Sequence, residues 1–128
     1  MRANSEIDPI CGPGGTRARE VLDLVSDKWS LYVVAALGQG PLRFSQARRV
    51  VVGISQRMLT VTLRRLVRDG LISRTVTPTV PPQVTYALTE TGHSLRLAVQ
   101  PLIEWAFTTA DDIAVARAAY DAQAEGQA

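Results

Sequence analysis

The sequence of 128 residues has little of what several functional classes require. Its single cysteine, Cys11, rules out an internal disulfide framework and leaves no second thiol for a zinc site. Its longest apolar run, residues 31–37, has seven residues, whereas a membrane span needs about 20. The first ten residues lack the apolar run of a signal peptide. We therefore expect a cytoplasmic protein with no metal, no cofactor and no membrane partner.

Catalytic groups are also scarce. The chain has one histidine, His93, and it has no glycine-rich phosphate loop and no pair of catalytic carboxylates. An enzyme would have to use Cys11 as its nucleophile and His93 as its base. Because no motif supports that pairing, we predict that the protein is not an enzyme and that His93 is a surface or helix-capping residue.

Positive charge is concentrated in the middle of the chain. The formal net charge is only +2, yet residues 43–74 hold eight arginines and one acid, Asp69. The flanking segments 1–42 and 75–128 are both net negative. The arginine fork pairs well with phosphate and with guanine. This distribution indicates a surface that meets a polyanion.

Apolar spacing and capping residues predict one mainly helical domain. We place a flexible arm at residues 1–15, the domain at 16–110 and a helical tail at 111–128. Thr16 is expected to cap a first helix, and Ser26 or Asp27 a second helix that ends at Leu37. Residues 31–37 also suit a buried strand, but the caps before them and Gly38 after them favour a helix.

The central segment predicts two helices joined by a tight turn. Ser45 is expected to cap the first, which closes near Gly53, and Ser55 to cap the second, which ends in a glycine C-cap at Gly70. The second helix has a core stripe made of Leu59, Leu63, Leu66 and Val67. The opposite face holds Arg57, Val61, Arg64 and Arg68, with Thr60 and Arg65 on its flanks.

Two β-branched, alternating segments follow this helix. "LISRTVT" and "QVTYALT", joined by "PTVPP", predict an antiparallel hairpin, and Thr89 is expected to cap a long final helix. Two short helices, the second one basic, followed by a hairpin are typical of a winged helix-turn-helix. The crowded arginines of the basic helix have only Asp69 nearby in the sequence, which costs stability unless phosphates neutralise them.

Six motifs in fixed order resemble the HxlR-type, MarR-like winged-helix transcriptional regulators of bacteria. They are Cys11 with a proline two residues away, where the family usually has Cys-Pro, followed by "DKWS", "GPLRF", "GISQRMLTVTLRRLVRDGLISR", "VPPQVTYALTETG" and "LIEWA". The resemblance implies a homodimer, joined through its N- and C-terminal helices, that binds a pseudo-palindromic double-stranded DNA operator. By position it implies DNA contacts by Ser55, Gln56, Arg57, Thr60, Arg64 and Arg65, with Arg43 and Arg74 flanking them. From the basic segment and the hairpin we also predict DNA contacts by Ser45, Arg68 and Gln83 and phosphate contacts by Arg48 and Arg49.

The signal that such a regulator answers to stays open at this point. Some members of the family sense oxidants or electrophiles through a cysteine in the N-terminal arm, so Cys11 is either a redox sensor or an unreactive thiol. Trp29, Leu102 and Trp105 are either core or dimer-interface residues or the lining of a small-molecule effector pocket. A third interpretation is a scaffold or non-specific nucleic-acid-binding dimer. RNA readers usually present stacking aromatics, and the basic segment has only Phe44.

Overall fold

The computed structural model describes residues 15–127, so Cys11 and the arm around it lie outside the described range. The elements are α1 Thr16–Val25, α2 Lys28–Leu37, β1 Leu42–Arg43, α3 Phe44–Val50, α4 Gln56–Arg68, β2 Ile72–Thr77, β3 Gln83–Leu88 and α5 Glu90–Gln127. The helix-turn-helix is α3 and α4, and the wing is the β2–β3 hairpin. The predicted class, mainly helical with a hairpin wing, is confirmed.

Three predicted helix caps are confirmed. Asp27 Oδ2 accepts a hydrogen bond from the Ser30 backbone N–H at 3.3 Å. Ser55 Oγ accepts from Met58 at 3.0 Å at the start of α4, and Thr89 Oγ1 accepts from the backbone of the first turn of α5. Each cap satisfies a backbone N–H that the first turn of a helix leaves without a partner.

Two predicted caps are wrong. Thr16 is the first residue of α1, whose N-cap is Gly15. Ser45 lies inside α3, whose N-cap is Arg43, and the Arg43 backbone N–H donates to Gln46 Oε1 at 2.9 Å. The residues before α3 are extended because they pair with a strand of a sheet. The local sequence gives no sign of this pairing.

That sheet has three strands in the order β1-β3-β2. The predicted hairpin pairs Ile72 with Leu88 at its base and Thr77 with Gln83 near its tip. The third strand, β1, is two residues long and pairs antiparallel with β3, which sets Leu42 opposite Tyr86. Two residues carry no readable alternation, so the sequence prediction missed this strand. It ties the start of α3 directly to the wing.

Helix α4 packs into the core through four fully buried side chains. Three of them, Leu59, Leu63 and Leu66, were predicted. Val67, predicted beside them, is only half-buried, and the fourth buried residue is Thr62, with 0% of its surface exposed. A threonine in an arginine-rich helix gives no apolar signal, so sequence reasoning did not find it. The predicted C-cap glycine, Gly70, has a φ of 75° after Asp69.

The start of α5 lies very close to the turn after α4. A Cβ built on Gly92 overlaps the carbonyl oxygen of Leu71, whereas one built on Gly126 meets nothing within 4 Å. We expect Gly92→Ala to lower the free energy of unfolding by about 1–3 kcal/mol because backbone must move. Gly126→Ala, the matched control, is expected to be neutral or slightly stabilising. Urea denaturation of both variants measures this, and equal stabilities would contradict the close approach.

The chain forms two compact units, one ending at Arg96 and the other starting at Leu97. Helix α5 runs without interruption from Glu90 to Gln127 and contains Pro101. The predicted boundary between residues 110 and 111 therefore lies within this helix, and the described part of the helical tail expected at 111–128 belongs to α5.

Candidate nucleic-acid interface

The first turn of α4 presents polar side chains to solvent. Gln56 and Arg57 are exposed directly after the Ser55 cap, and Val61 follows one turn later with 47% of its surface exposed. Thr60 Oγ1 donates to the backbone oxygen of Gln56 at 2.9 Å, which fixes its side chain. An α-helix fits into the major groove of B-DNA, and the side chains of its first turns then reach the edges of the bases.

Three arginines of α4 form an exposed row, which we call the arginine face: Arg57, Arg64 and Arg68. Within residues 15–127, none of the three side chains makes a hydrogen bond or an ion pair. Their positive charge is therefore not compensated by this part of the chain. Such a surface attracts phosphates and raises the rate of association with a polyanion.

Arg65, predicted to join these arginines, is directed elsewhere. Its Nη2 lies 2.7 Å from Asp27 Oδ2 and donates to Ser30 Oγ at 2.8 Å. Asp27 therefore caps α2 and also binds α4. The acid that pairs with Arg65 is therefore not Asp69, its neighbour in the sequence, but Asp27, which is 38 residues away in the chain and adjacent in space. The phosphate contact of Arg65 stays a prediction, and its Nη2 already has two partners.

Helix α3 and the strand before it carry further exposed polar and basic side chains. Arg48 and Arg49 occupy the last turn of α3, and Ser45 lies in its first turn, all with exposed side chains. Arg43 is exposed on β1, opposite Thr85 of β3. All four residues precede α4 in the chain, and their contacts with DNA stay a prediction.

The wing carries a positive charge near the end that joins α4 and no charge towards its tip. Arg74 lies on β2 opposite Tyr86, and Gln83 lies opposite Thr77 at the start of β3. Both predicted residues are exposed. No charged residue occurs between Arg74 and Glu90. We therefore expect phosphate contacts of the wing to be limited to its base.

The remaining predicted residues fall in different parts of the chain. Trp29 is half-buried against the core and meets Tyr32 edge-on, with ring centroids 5.7 Å apart. Leu102 and Trp105 lie in the second unit and are 54% and 56% exposed. The predicted effector pocket among these residues stays a prediction, and Cys11 lies outside the described residues. His93 is exposed in the first turn of α5, as predicted.

Two other kinds of site are absent from the part of the chain that the structure describes. No group of three or more His, Cys, Asp or Glu side chains in residues 15–127 is arranged to hold a metal ion. No helix in the same range combines the length and the apolar character that a membrane crossing requires.

Comparisons with known proteins agree with this geometry. A family model described as HxlR-like helix-turn-helix matches residues 24–113. The uncharacterized HTH-type transcriptional regulator YtfH of Escherichia coli is 40% identical over 88 residues, which are 69% of this chain and 70% of YtfH. The structure of ytfH from Salmonella typhimurium gives a TM-score of 0.72 at 36% identity and covers 78% of this chain and 89% of that one. The redox regulator HypR in its reduced form also gives 0.72 at 36% identity, covering 78% and 99%.

The matched region runs from the end of α1 into α5 and so includes the helix-turn-helix, the arginine face and the wing. A family model that covers this much of the chain, together with relatives of 36–40% identity, decides the assignment. The chain is a winged-helix transcriptional regulator and belongs to the HxlR-like helix-turn-helix family.

Proposed function

We propose that the protein is a homodimer that binds a specific double-stranded DNA operator through α4 and the base of the wing. The observation that carries this proposal is the arginine face, whose three exposed side chains have no partner within residues 15–127. It lies on the helix whose first turn also exposes Gln56. Arginines without counter-charges suit phosphates, and exposed polar groups in the first turn suit base edges.

The second unit supports the dimer. Leu102, Ile113 and Tyr120 share one side of α5 at helical spacing, and 54%, 38% and 72% of their surfaces are exposed. Val21 and Leu22 of α1 are also about half exposed. Apolar stripes of this extent on a regulator are typical of an interface. We propose that a second copy of the chain covers them and so presents two copies of α4 to the two halves of a pseudo-palindrome.

A gel shift tests the proposal directly. Purified protein is titrated onto the DNA upstream of its own gene, with random duplex as competitor and single-stranded RNA as a separate target. A retarded band that resists random duplex and is absent with RNA is the expected result. Equal affinity for random duplex would contradict specific binding and favour the non-specific dimer. Sedimentation of the free protein at twice the mass of 13.9 kDa is expected for the homodimer.

We further propose that Cys11 makes the regulator responsive to oxidants or electrophiles. The redox regulator HypR is similar to this chain in fold and in sequence. Two arginines, Arg17 and Arg19, follow Cys11 at the start of α1, and nearby positive charge lowers the pKa of a thiol and so raises its reactivity. No catalytic role is proposed for Cys11 or for His93.

Oxidation by diamide is expected to lower operator affinity at least about 10-fold, and reductant is expected to restore it, because a modified thiol changes the contacts between subunits. Cys11→Ser is expected to bind the operator normally and to ignore diamide. Gel shifts with and without diamide measure both responses. If the Ser variant still lost affinity on oxidation, Cys11 would not be the sensor, and the alternative of a small-molecule effector at the dimer interface would take its place.

A further inference from the structure

Val61 lies in the middle of the arginine face of α4, and 47% of its surface is exposed. Arg57 precedes it by four residues, and Arg64 and Arg68 follow it by three and seven, so the four side chains share one side of the helix. Single exposed apolar residues are common on protein surfaces and by themselves indicate nothing. Val61 differs because the three arginines around it have no counter-charge in the part of the chain that the structure describes.

Position 61 is also where the helix itself could balance this charge. A glutamate there would lie four residues from Arg57 and three from Arg64, the spacings at which opposite charges stabilise a helix. A valine forms no such pair, and its branched side chain lowers the helix propensity. Covering this face with another apolar protein surface would take the unpaired arginines out of water, which is costly. The face therefore suits a partner that offers phosphates to the arginines and an apolar group to Val61.

The major groove of DNA is such a partner. Phosphates line its two edges, and the only apolar group that any base pair presents on its floor is the C5-methyl group of thymine. A valine side chain has no hydrogen-bond donor or acceptor, so it gains nothing from the polar groups of the other bases. Long arginine side chains can extend from the helix to the phosphates. The short side chain of Val61 meets only what lies directly beneath the helix.

We propose that Val61 determines specificity by packing against the C5-methyl group of a thymine in each half of the operator. This inference rests on the proposed function and names a base that the operator contains. Four residues of α-helix span about 6 Å, and neighbouring base pairs are about 3.4 Å apart along the duplex. The thymine therefore lies within about two base pairs of the base that Arg57 contacts.

Selection of binding sites from a library of random-sequence duplexes locates this thymine. The full-length wild type is expected to recover sites that share one thymine in each half. Val61→Ala, which removes both γ-methyl groups, is expected to weaken the preference for thymine at that position and to keep the preferences elsewhere. Val52→Ala is the matched control, since Val52 is 85% exposed in the turn before α4, and it is expected to recover the wild-type site.

Replacing that thymine with deoxyuridine in both half-sites removes only the two methyl groups and leaves base pairing unchanged. Burial of a group of this size changes affinity roughly 4-fold, so the wild type is expected to lose at least about 10-fold over two half-sites. Val61→Ala is expected to bind the thymine operator about 10-fold more weakly and to lose less than about 2-fold more with uracil. Val52→Ala is expected to respond to uracil as the wild type does.

Fluorescence anisotropy measures these affinities, and the melting temperature of Val61→Ala is expected not to fall, because alanine favours the helix. An equal loss with uracil for the wild type and Val61→Ala would overturn the inference and leave the proposed function standing. Specific binding by the wild type that ignores uracil at every thymine would also overturn it. Absence of any preference over random duplex would overturn the proposed function itself, and this inference with it.

Discussion

Replacing Arg57 with alanine is expected to weaken binding to the operator by at least about 30-fold. A guanidinium that pairs with a guanine edge contributes about 1–3 kcal/mol per half-site, and a homodimer loses two such pairs at once. Arg57 is exposed in the first turn of α4 and makes no ion pair within the described chain, so nothing in that range competes for its side chain. Fluorescence anisotropy on operator and on random duplex measures the effect.

The comparison between the two duplexes decides what Arg57 does. A base contact predicts a large loss on the operator and a small loss on random DNA. Arg64→Ala, two turns further along α4, is expected to weaken both duplexes alike and to reduce the slope of log affinity against log salt by about 0.9 for each phosphate that is no longer neutralised. Arg17→Ala, exposed on α1, is the control and is expected to change neither. Equal losses on both duplexes for Arg57→Ala would make Arg57 a phosphate contact and contradict its role in base reading.

Asp27→Ala is expected to lower the free energy of unfolding by about 2 kcal/mol and the melting temperature by roughly 5–10 °C. Two losses combine. Helix α2 loses its N-cap, which costs about 1 kcal/mol. Arg65 loses the charge-assisted hydrogen bond to the carboxylate at 2.7 Å from its Nη2, which costs about 1 kcal/mol, and it keeps Ser30 Oγ at 2.8 Å as the remaining partner of that atom. Both side chains of the pair are about one-third exposed, so water offsets part of the second loss.

Thermal and urea denaturation measure this effect, and a double-mutant cycle isolates its second part. Asp27→Ala and Arg65→Leu, separately and together, are expected to show a coupling of about 0.5–1.5 kcal/mol. Asp23→Ala removes a carboxylate that is exposed on α1 and unpaired within the described residues, and it is expected to cost less than about 0.5 kcal/mol. If Asp27→Ala were no more destabilising than Asp23→Ala, the Asp27–Arg65 pair between α2 and α4 would not contribute to the free energy of unfolding.

The parts of the structure that sequence reasoning obtained correctly depend on short-range signals. Ser55 and Thr89 act on backbone groups three residues further along the chain, so their types and positions were sufficient to predict them as caps. The alternation of the two wing strands and the leucine stripe of α4 are periodic patterns that bury one face. The arginine face was predicted in the same way, since residues opposite a buried stripe on a helix must be exposed.

The parts it missed depend on residues that are distant in the chain. The Asp27–Arg65 pair joins positions 38 residues apart, and β1 becomes a strand only because β3 lies beside it. Thr62 is fully buried although its hydroxyl is polar, because the core surrounds its position on α4. None of these features has a local signature, so propensity and periodicity assign them incorrectly or not at all.

Local chemistry therefore determined the class of this protein: which segments are helices, where α2, α4 and α5 begin, which face carries the arginines and where the hairpin turns. These features follow from bonds and burial patterns within one or two turns of chain. Packing decided what the individual side chains do. It directed Arg65 to Asp27 and left Arg57, Arg64 and Arg68 exposed. Partners distant in sequence meet only after the core has formed, and the free energy of a polar side chain depends on the partner that it meets there.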